Sequence, residues 1–306
     1  MILLIQYTLV FATVLFLAAM GGCFSEHSGV INIGIEGMMV MGALGGAFAM
    51  KLLSGAPPAV IVLGTVAASA ALGMAASLLL SVPCVSFKAD QVLIGTAINM
   101  LSVAAATILV KTVNLQVMGK AMPTVSYIEE KKALSFAAGS FRIDVFFLLA
   151  IVIALFSLFV FRKTRFGLRL CACGENPLAA ASAGVNVRKM RYKGVLISGA
   201  LSGLAGIAYI TSSVSEWQFD KGVAGYGFLA LAVMIFGQWN PAKIAIAALI
   251  FGFFRALSNV YMGIGFLNAL NIPGAVYNIL PYVISLLILV LFSKKSNAPK
   301  AEGIPY

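Results

Sequence analysis

Long apolar runs, broken at short intervals by small polar clusters, set the pattern of the whole chain. A helix needs about 20 mostly apolar residues to cross a bilayer. Runs near that length stand at 2–22, 30–50, 57–81, 91–112, 143–161, 194–212, 223–239, 242–262 and 276–293. The pattern predicts an all-α polytopic membrane protein of about nine transmembrane helices, eight to ten. The seventh run is short and fits a re-entrant segment as well as a crossing. Nothing marks a domain boundary, so 1–306 reads as one transmembrane domain. Its polar interruptions are a loop at 113–141 containing "YIEEKK", a segment at 162–193 and a tail at 294–306.

Within the sixth run, "SGALSGLAG" spaces Ser198, Ser202 and Gly206 four apart, with Gly199 and Gly203 beside them. Gly34, Gly37, Gly42, Gly45 and Gly46 repeat the theme in the second run. Small residues at helical spacing let backbones approach closely in lipid, which predicts a tightly packed bundle.

Composition sharpens this reading. The chain of 306 residues is 61% hydrophobic and 10% charged, with a mean hydropathy of +1.02. A soluble domain carries about a quarter charged residues, so most of this surface must face lipid. The formal net charge is +11. The basic residues border the apolar runs and build no patch with interleaved aromatics, which argues against nucleic acid. Lys and Arg favour cytoplasmic loops. With the tail inside, thirteen of the 21 Lys and Arg fall inside, seven outside, and Arg255 within a span. The expected topology is therefore N-terminus outside and C-terminus cytoplasmic. No charge precedes Glu26, so the first run reads as a retained span rather than a signal with a basic leader. Cys23, Cys84, Cys171 and Cys173 have no zinc spacing, and His27 is the sole histidine. No metal site is expected, and the cysteines read as plain thiols.

The segment 162–193 is a charged interruption placed on the cytoplasmic side. Asn176 suits an N-cap, Pro177 the first helical position, and Gly184 a helix end. A short capped helix outside the bilayer has two readings: it lies on headgroups, or it is a rigid knob that docks a soluble partner. Here the residues meet a family. "TRFGLRLCACGENPLAAASAGVNVRKMRYKGVLISGALSGLAGIAYI" strongly resembles permease subunits of ABC importers for ribose, other simple sugars, nucleosides and branched-chain amino acids, whose pattern runs T-R-x-G, A-x-G-x-N-x-x-A-A, then G-[IV]-N-V. Thr164, Arg165, Gly167, Ala172, Gly174, Asn176, Ala179, Ala180 and Gly184 to Val187 match it. "GGCFSEHSGVINIGIEGMMVMGALGGAF" resembles the second-helix region of the nucleoside-type branch, and "GYGFLALAVMIFGQWNPAKIAIAALIFGFFRAL" resembles the late G-Y-x-x-x-A-x-A segment. The three stretches cover over a third of the chain, in the family's order.

The resemblance implies a subunit of an ATP-driven importer in the bacterial inner (cytoplasmic) membrane. It implies a coupling helix formed by Gly174, Glu175, Asn176, Pro177, Leu178, Ala179, Ala180 and Gly184, docked on a separate ABC ATPase. It further implies an external substrate-binding protein and a second permease subunit, in the nucleoside-type branch a different chain. Larger members carry an additional N-terminal span; the resemblance implies a member without it, which would agree with the N-out topology. The chain lacks G-x-x-x-x-G-K-[ST], so it is expected to be no enzyme and to hold no cofactor, ATP and Mg residing on the partner.

Polar residues in lipid usually face a bundle interior or a cavity. Asn32, Glu36, Asn99, Arg255 and Asn259 are the candidate substrate-path residues, with Ser102 a further polar point. Each also has a structural reading: Glu36 satisfied by nearby backbone or Asn32, Arg255 by helix-end carbonyls. At the outer mouth, Glu216, Trp217 and Asp220 are either an interfacial anchor or a docking element for the binding protein. "YIEEKK" reads as the solvated face of an external helix. The expected cargo is a nucleoside, with a simple sugar or a riboflavin-like ribityl compound as the alternative. A stand-alone secondary transporter or channel would need ion-coupling carboxylates, for which Glu36 is the clear candidate. An intramembrane protease would need a catalytic pairing that the isolated His27 does not supply.

Overall fold

The computed structural model describes residues 2–127, 130–138, 141–213, 216–261 and 297–306, with 276, 279–280 and 282–283 between them. The helices are α1 (Ile2–His27), α2 (Ile35–Leu52), α3 (Pro58–Ser81), α4 (Gln91–Met118), α5 (Val145–Lys163), α6 (Arg165–Glu175), α7 (Pro177–Ser182), α8 (Val187–Ser213), α9 (Tyr226–Phe236) and α10 (Pro241–Val260). Four short strands are β1 (Thr124–Ser126), β2 (Ser135–Ala138), β3 (Phe141–Asp144) and β4 (Glu216–Gln218). Among the described residues, seven helices are long and apolar enough to cross a membrane: α1, α2, α3 continued to Ser86, α4, α5, α8 and α10. The chain is therefore a helical, multi-pass membrane protein. The seventh run yields α9, whose 11 residues reach only about 16 Å, half of a bilayer core. The ninth run, 276–293, lies outside the described residues but for five helical positions.

Local signals place the helix ends. Asp90 caps α4 by accepting from Leu93 N at 2.8 Å, and Gly119 ends it at φ 68°. Asn240 caps α10 by accepting from Ala242 N at 3.0 Å, with Pro241 in the first turn. At these sites the polar side chain replaces the missing intrahelical acceptor.

The small-residue spacing does what lipid packing requires. A Cβ on Gly203 would strike Ser69 O, one on Gly42 the Gly203 backbone, and one on Gly206 the Met39 carbonyl. These glycines draw α8 against α2 and α3, while α1 packs on α8 and α10. α8 is the most buried of the candidate spans, 83% inside the bundle.

At one end of the bundle, β1 pairs antiparallel with β4, Val125 opposite Trp217, and β2 pairs with β3. This corrects the reading of "YIEEKK". Residues 130–134 form a 3₁₀ turn with Glu130 buried, not the solvated face of an α-helix, and 128–129 lie outside the described residues. The buried Tyr127 hydroxyl donates to Ile210 O at 2.9 Å, fastening this segment to the end of α8.

At the other end, 162–193 holds more helix than its punctuation suggested. α6 precedes α7, capped by Thr164, whose hydroxyl accepts from Gly167 N at 3.1 Å. The basic "VRKMRYK" forms the first turns of α8 rather than a loop.

Candidate functional site

The elbow between α6 and α7 is built from short-range rules. The Asn176 side chain accepts from Ala179 N at 3.0 Å, and Pro177 follows in the first turn. At the far end, Gly184 sits at φ 77°, its amide donating to Ala181 O at 2.9 Å while Val185 N donates to Ala180 O at 3.0 Å. This paired closure satisfies the last carbonyls of a helix through a left-handed residue. Ala180 is buried against the bundle; Glu175, Asn176, Ala179 and Gly184 are exposed. Leu178 is 71% exposed, an apolar side chain at the tip of a rigid, capped turn. Gly174 is buried, and a Cβ there would lie 2.5 Å from His27 O, so the elbow rests directly on the end of α1. In α6, burial and then Glu175 push the Cys171 thiol up to about 11, leaving it protonated at neutral pH.

Two of the polar residues singled out in the spans, Glu36 and Asn99, bond to backbone amides at helix starts. Glu36, in the first turn of α2, accepts from Gly225 N at 2.8 Å and from Gly227 N at 2.6 Å. Its carboxylate thus caps the start of α9 and faces the positive end of that helix. A Cβ on Gly227 would lie 2.8 Å from the carboxylate, so glycine is required for the approach. Asn99 of α4 does the same for α2, accepting from Gly37 N at 2.8 Å and donating to Ile33 O at 2.9 Å. Asn32 is fully buried and donates to Ser198 Oγ at 2.8 Å, while its Oδ1 has no partner among the described residues.

Arg255 and Glu36 approach the same residue from two sides. Tyr226 follows Gly225 in the Glu36-capped turn, and its hydroxyl accepts from Arg255 Nε at 2.7 Å. The guanidinium also stands 5.3 Å from the Tyr226 ring centre. Tyr209 packs on Tyr226 at 4.4 Å and on Trp217 at 5.3 Å. Arg255 is half-buried, whereas Asn259 is exposed and donates to Arg255 O at 3.2 Å. The fold thus links Glu36 and Arg255 through Tyr226.

At the strand-bearing end, Trp217 is half-buried and its indole donates to Gly222 O at 3.0 Å. Glu216 and Asp220 beside it are exposed.

Sequence reasoning passed over a knot at the elbow end. Glu26 of α1 is buried and accepts from Trp239 Nε1 at 2.5 Å, and Cys23 donates to Trp239 O at 3.3 Å. Trp239 and Gln238 both hold left-handed backbones, φ 55° and 49°, which bulky residues rarely adopt. The signal was present: Glu26 is a charge at the end of an otherwise uncharged run. Its partner lies 213 residues away, and no local pattern pointed there.

The family model described as "Branched-chain amino acid transport system / permease component" matches residues 4–292. The chain is 39% identical to the guanosine ABC transporter permease protein NupQ of Bacillus subtilis, covering 99% of this chain and 96% of that protein. It is 34% identical to the nucleoside ABC transporter permease protein NupC of Lactococcus lactis, with the same coverage of 99% and 96%. It is 32% identical to the putative glucose ABC transporter permease protein TsgC13 of Haloferax volcanii, over 83% of this chain and 76% of that one.

Proposed function

Because the chain belongs to the family of branched-chain amino acid transport system permease components, we propose that it is the membrane-spanning subunit of an ATP-driven importer for nucleosides. The observation that carries this reading is full-length similarity to two permeases named for guanosine and nucleoside transport, joined to the capped elbow at α6–α7. The glucose-type relative keeps a simple sugar, and with it a ribityl compound, as the second cargo class.

In this account the subunit hydrolyses nothing. A separate ABC ATPase carries ATP and Mg, and α7 seats in it through Leu178. Gly174, Glu175, Asn176, Pro177, Ala179, Ala180 and Gly184 shape and orient that contact. A stroke received at the elbow passes to α1 through the Gly174–His27 contact and to α8, which follows α7 directly. A second permease subunit, a different chain, completes the pore, and an external binding protein delivers cargo. Glu216 and Asp220 are its docking groups, held in place by Trp217. The clustering of Arg162, Lys163, Arg165, Arg169, Arg188 and Lys189 at the elbow end supports a cytoplasmic elbow and an external N-terminus in the bacterial inner membrane.

Among the path candidates, the geometry favours positioning roles for Glu36 and Asn99, which hold the starts of α9 and α2. Arg255 and Asn259, less buried, remain the groups offered to passing cargo, and Asn32 keeps one oxygen without a partner among the described residues. A path must release what it carries, so neutral or ring-shielded donors suit it better than a naked charge.

The test is uptake by proteoliposomes holding this chain, its ATPase, the second permease and the binding protein. ATP-dependent accumulation of a labelled nucleoside is expected, with no uptake when the ATPase is omitted. Uptake by this chain alone, driven by an ion gradient, would overturn the reading.

A further inference from the structure

Residues Asn297–Tyr306 run beneath the elbow ends of four separate elements. Asn297 Nδ2 donates to Gln238 Oε1 at 3.1 Å in the α9–α10 turn. Ala301 N donates to Gly174 O at 2.8 Å at the end of α6, and Gly303 N to Gly29 O at 3.3 Å in the α1–α2 turn. The Glu302 carboxyl lies beside that of Glu26, with its Oε2 buried and unpartnered among the described residues. Finally, the Tyr306 ring centre lies 5.9 Å from the Arg191 guanidinium carbon. The segment is a strap across the base of the bundle.

What it covers is unusual. Arg191, in the second turn of α8, is only 1% exposed. None of its three guanidinium nitrogens has a hydrogen-bond partner among the described residues. Gly29, at φ 91°, allows the close fit: a Cβ there would lie 3.0 Å from a guanidinium nitrogen. The Cys173 thiol is nearby but is itself raised by burial and stays protonated. A guanidinium keeps its charge and offers five donors. Burying it without acceptors is costly, and one aromatic face offsets only part of that cost. The strapped state therefore holds a cation short of its partner, kept closed by backbone bonds made elsewhere along the strap.

We propose that the strap guards Arg191 for an acidic side chain of the docked ATPase. This inference rests on the docking role given above to the α6–α7 elbow. Gly174, whose carbonyl holds Ala301, is the residue three positions before Pro177, so a partner seated on α7 meets the strap at once. Release uncovers a planar fork that pairs with a carboxylate in two parallel bonds. Charge complementarity names the chemistry: Arg188, Lys189 and Lys193 flank Arg191 on α8, and Arg165 and Arg169 stand on α6. Such a base selects an acidic surface.

The experiment is hydrogen exchange at the Ala301 and Gly303 amides, with the full chain in nanodiscs, with and without the ATPase. In the wild type, exchange at both should quicken at least tenfold when the ATPase binds. Arg191→Met should weaken ATPase binding at least tenfold and leave both amides protected at saturating ATPase. Tyr306→Ala should speed ATPase association, its cover being thinned. If the ATPase binds the wild type and both amides stay protected, the strap proposal is wrong while elbow docking stands. Should the ATPase fail to bind the wild type at all, both fall. Unchanged binding by a folded Arg191→Met, or unchanged association by Tyr306→Ala, also overturns the proposal. If Arg191→Met does not fold, the wild-type exchange and Tyr306→Ala decide.

Discussion

Removing Glu36 separates a scaffold role from a cargo role. Its carboxylate receives two backbone N–H groups, from Gly225 at 2.8 Å and Gly227 at 2.6 Å, in a side chain only 8% exposed. Leaving a buried donor without its acceptor costs about 1–3 kcal/mol. Glu36→Ala orphans both, so the expected loss is about 2–6 kcal/mol, before any loss of favourable charge at the start of α9. Glu36→Gln keeps one acceptor oxygen and turns an amide donor toward the second N–H, so the expected loss is about 1–3 kcal/mol. At about 2 °C per kcal/mol for a chain of this size, the midpoint of thermal aggregation should fall by roughly 4–12 °C for Ala and 2–6 °C for Gln. Fluorescence-detected size-exclusion chromatography of heated, detergent-solubilised protein reads this directly. Transport should fall in step with the folded fraction. If Glu36→Ala melted with the wild type yet abolished uptake, the carboxylate would be acting on cargo, and the capping argument would be refuted.

Other perturbations probe different joints. Gly203→Ala pushes a Cβ onto Ser69 O and toward Gly73, which overpacking places at about 1–3 kcal/mol or more; lower folded yield is expected. Gly184→Asn, with nothing within 4 Å and φ 77°, should melt within about 1 °C of wild type, since asparagine tolerates that backbone. Asn99→Ala frees both Gly37 N and Ile33 O at the start of α2, and faster hydrogen exchange at Gly37 should report it. Replacing Pro177–Ser182 with a Gly/Ser linker should leave insertion and stability intact and uncouple ATP hydrolysis from uptake, measured together in proteoliposomes.

How much of this was legible in the sequence depends on the range of the interaction. The spans were readable because lipid contact demands uninterrupted apolar runs, whereas the end of α4 was not: the apolar run stops at 112, while the helix continues to Met118. The Asn176–Gly184 helix was readable because its capping residues act on their own neighbours. α6 was missed because charges at Arg165 and Arg169 interrupt it, although Leu170 and Cys173 are buried three positions apart on one face. The close approach of α8 to α2 and α3 was legible as small-residue spacing, but which glycine meets which backbone was not. The polar groups were found as residues but their partners were not: Glu36 and Asn99 act across 189 and 62 positions, on backbone amides that no side-chain pattern reveals. The Glu26–Trp239 knot and the strap over Arg191 are likewise long-range pairings, set by the fold rather than by any local signal.

The central claim is that the capped α7 turn enters the motor, and Leu178 is the side chain that must touch it. A photo-crosslinking amino acid at position 178, in the assembled importer in membranes, tests this contact. The account predicts a covalent adduct to the ATPase that is lost when Pro177–Ser182 is made flexible. Adducts to lipid alone, with the ATPase still bound and active in transport, would contradict it.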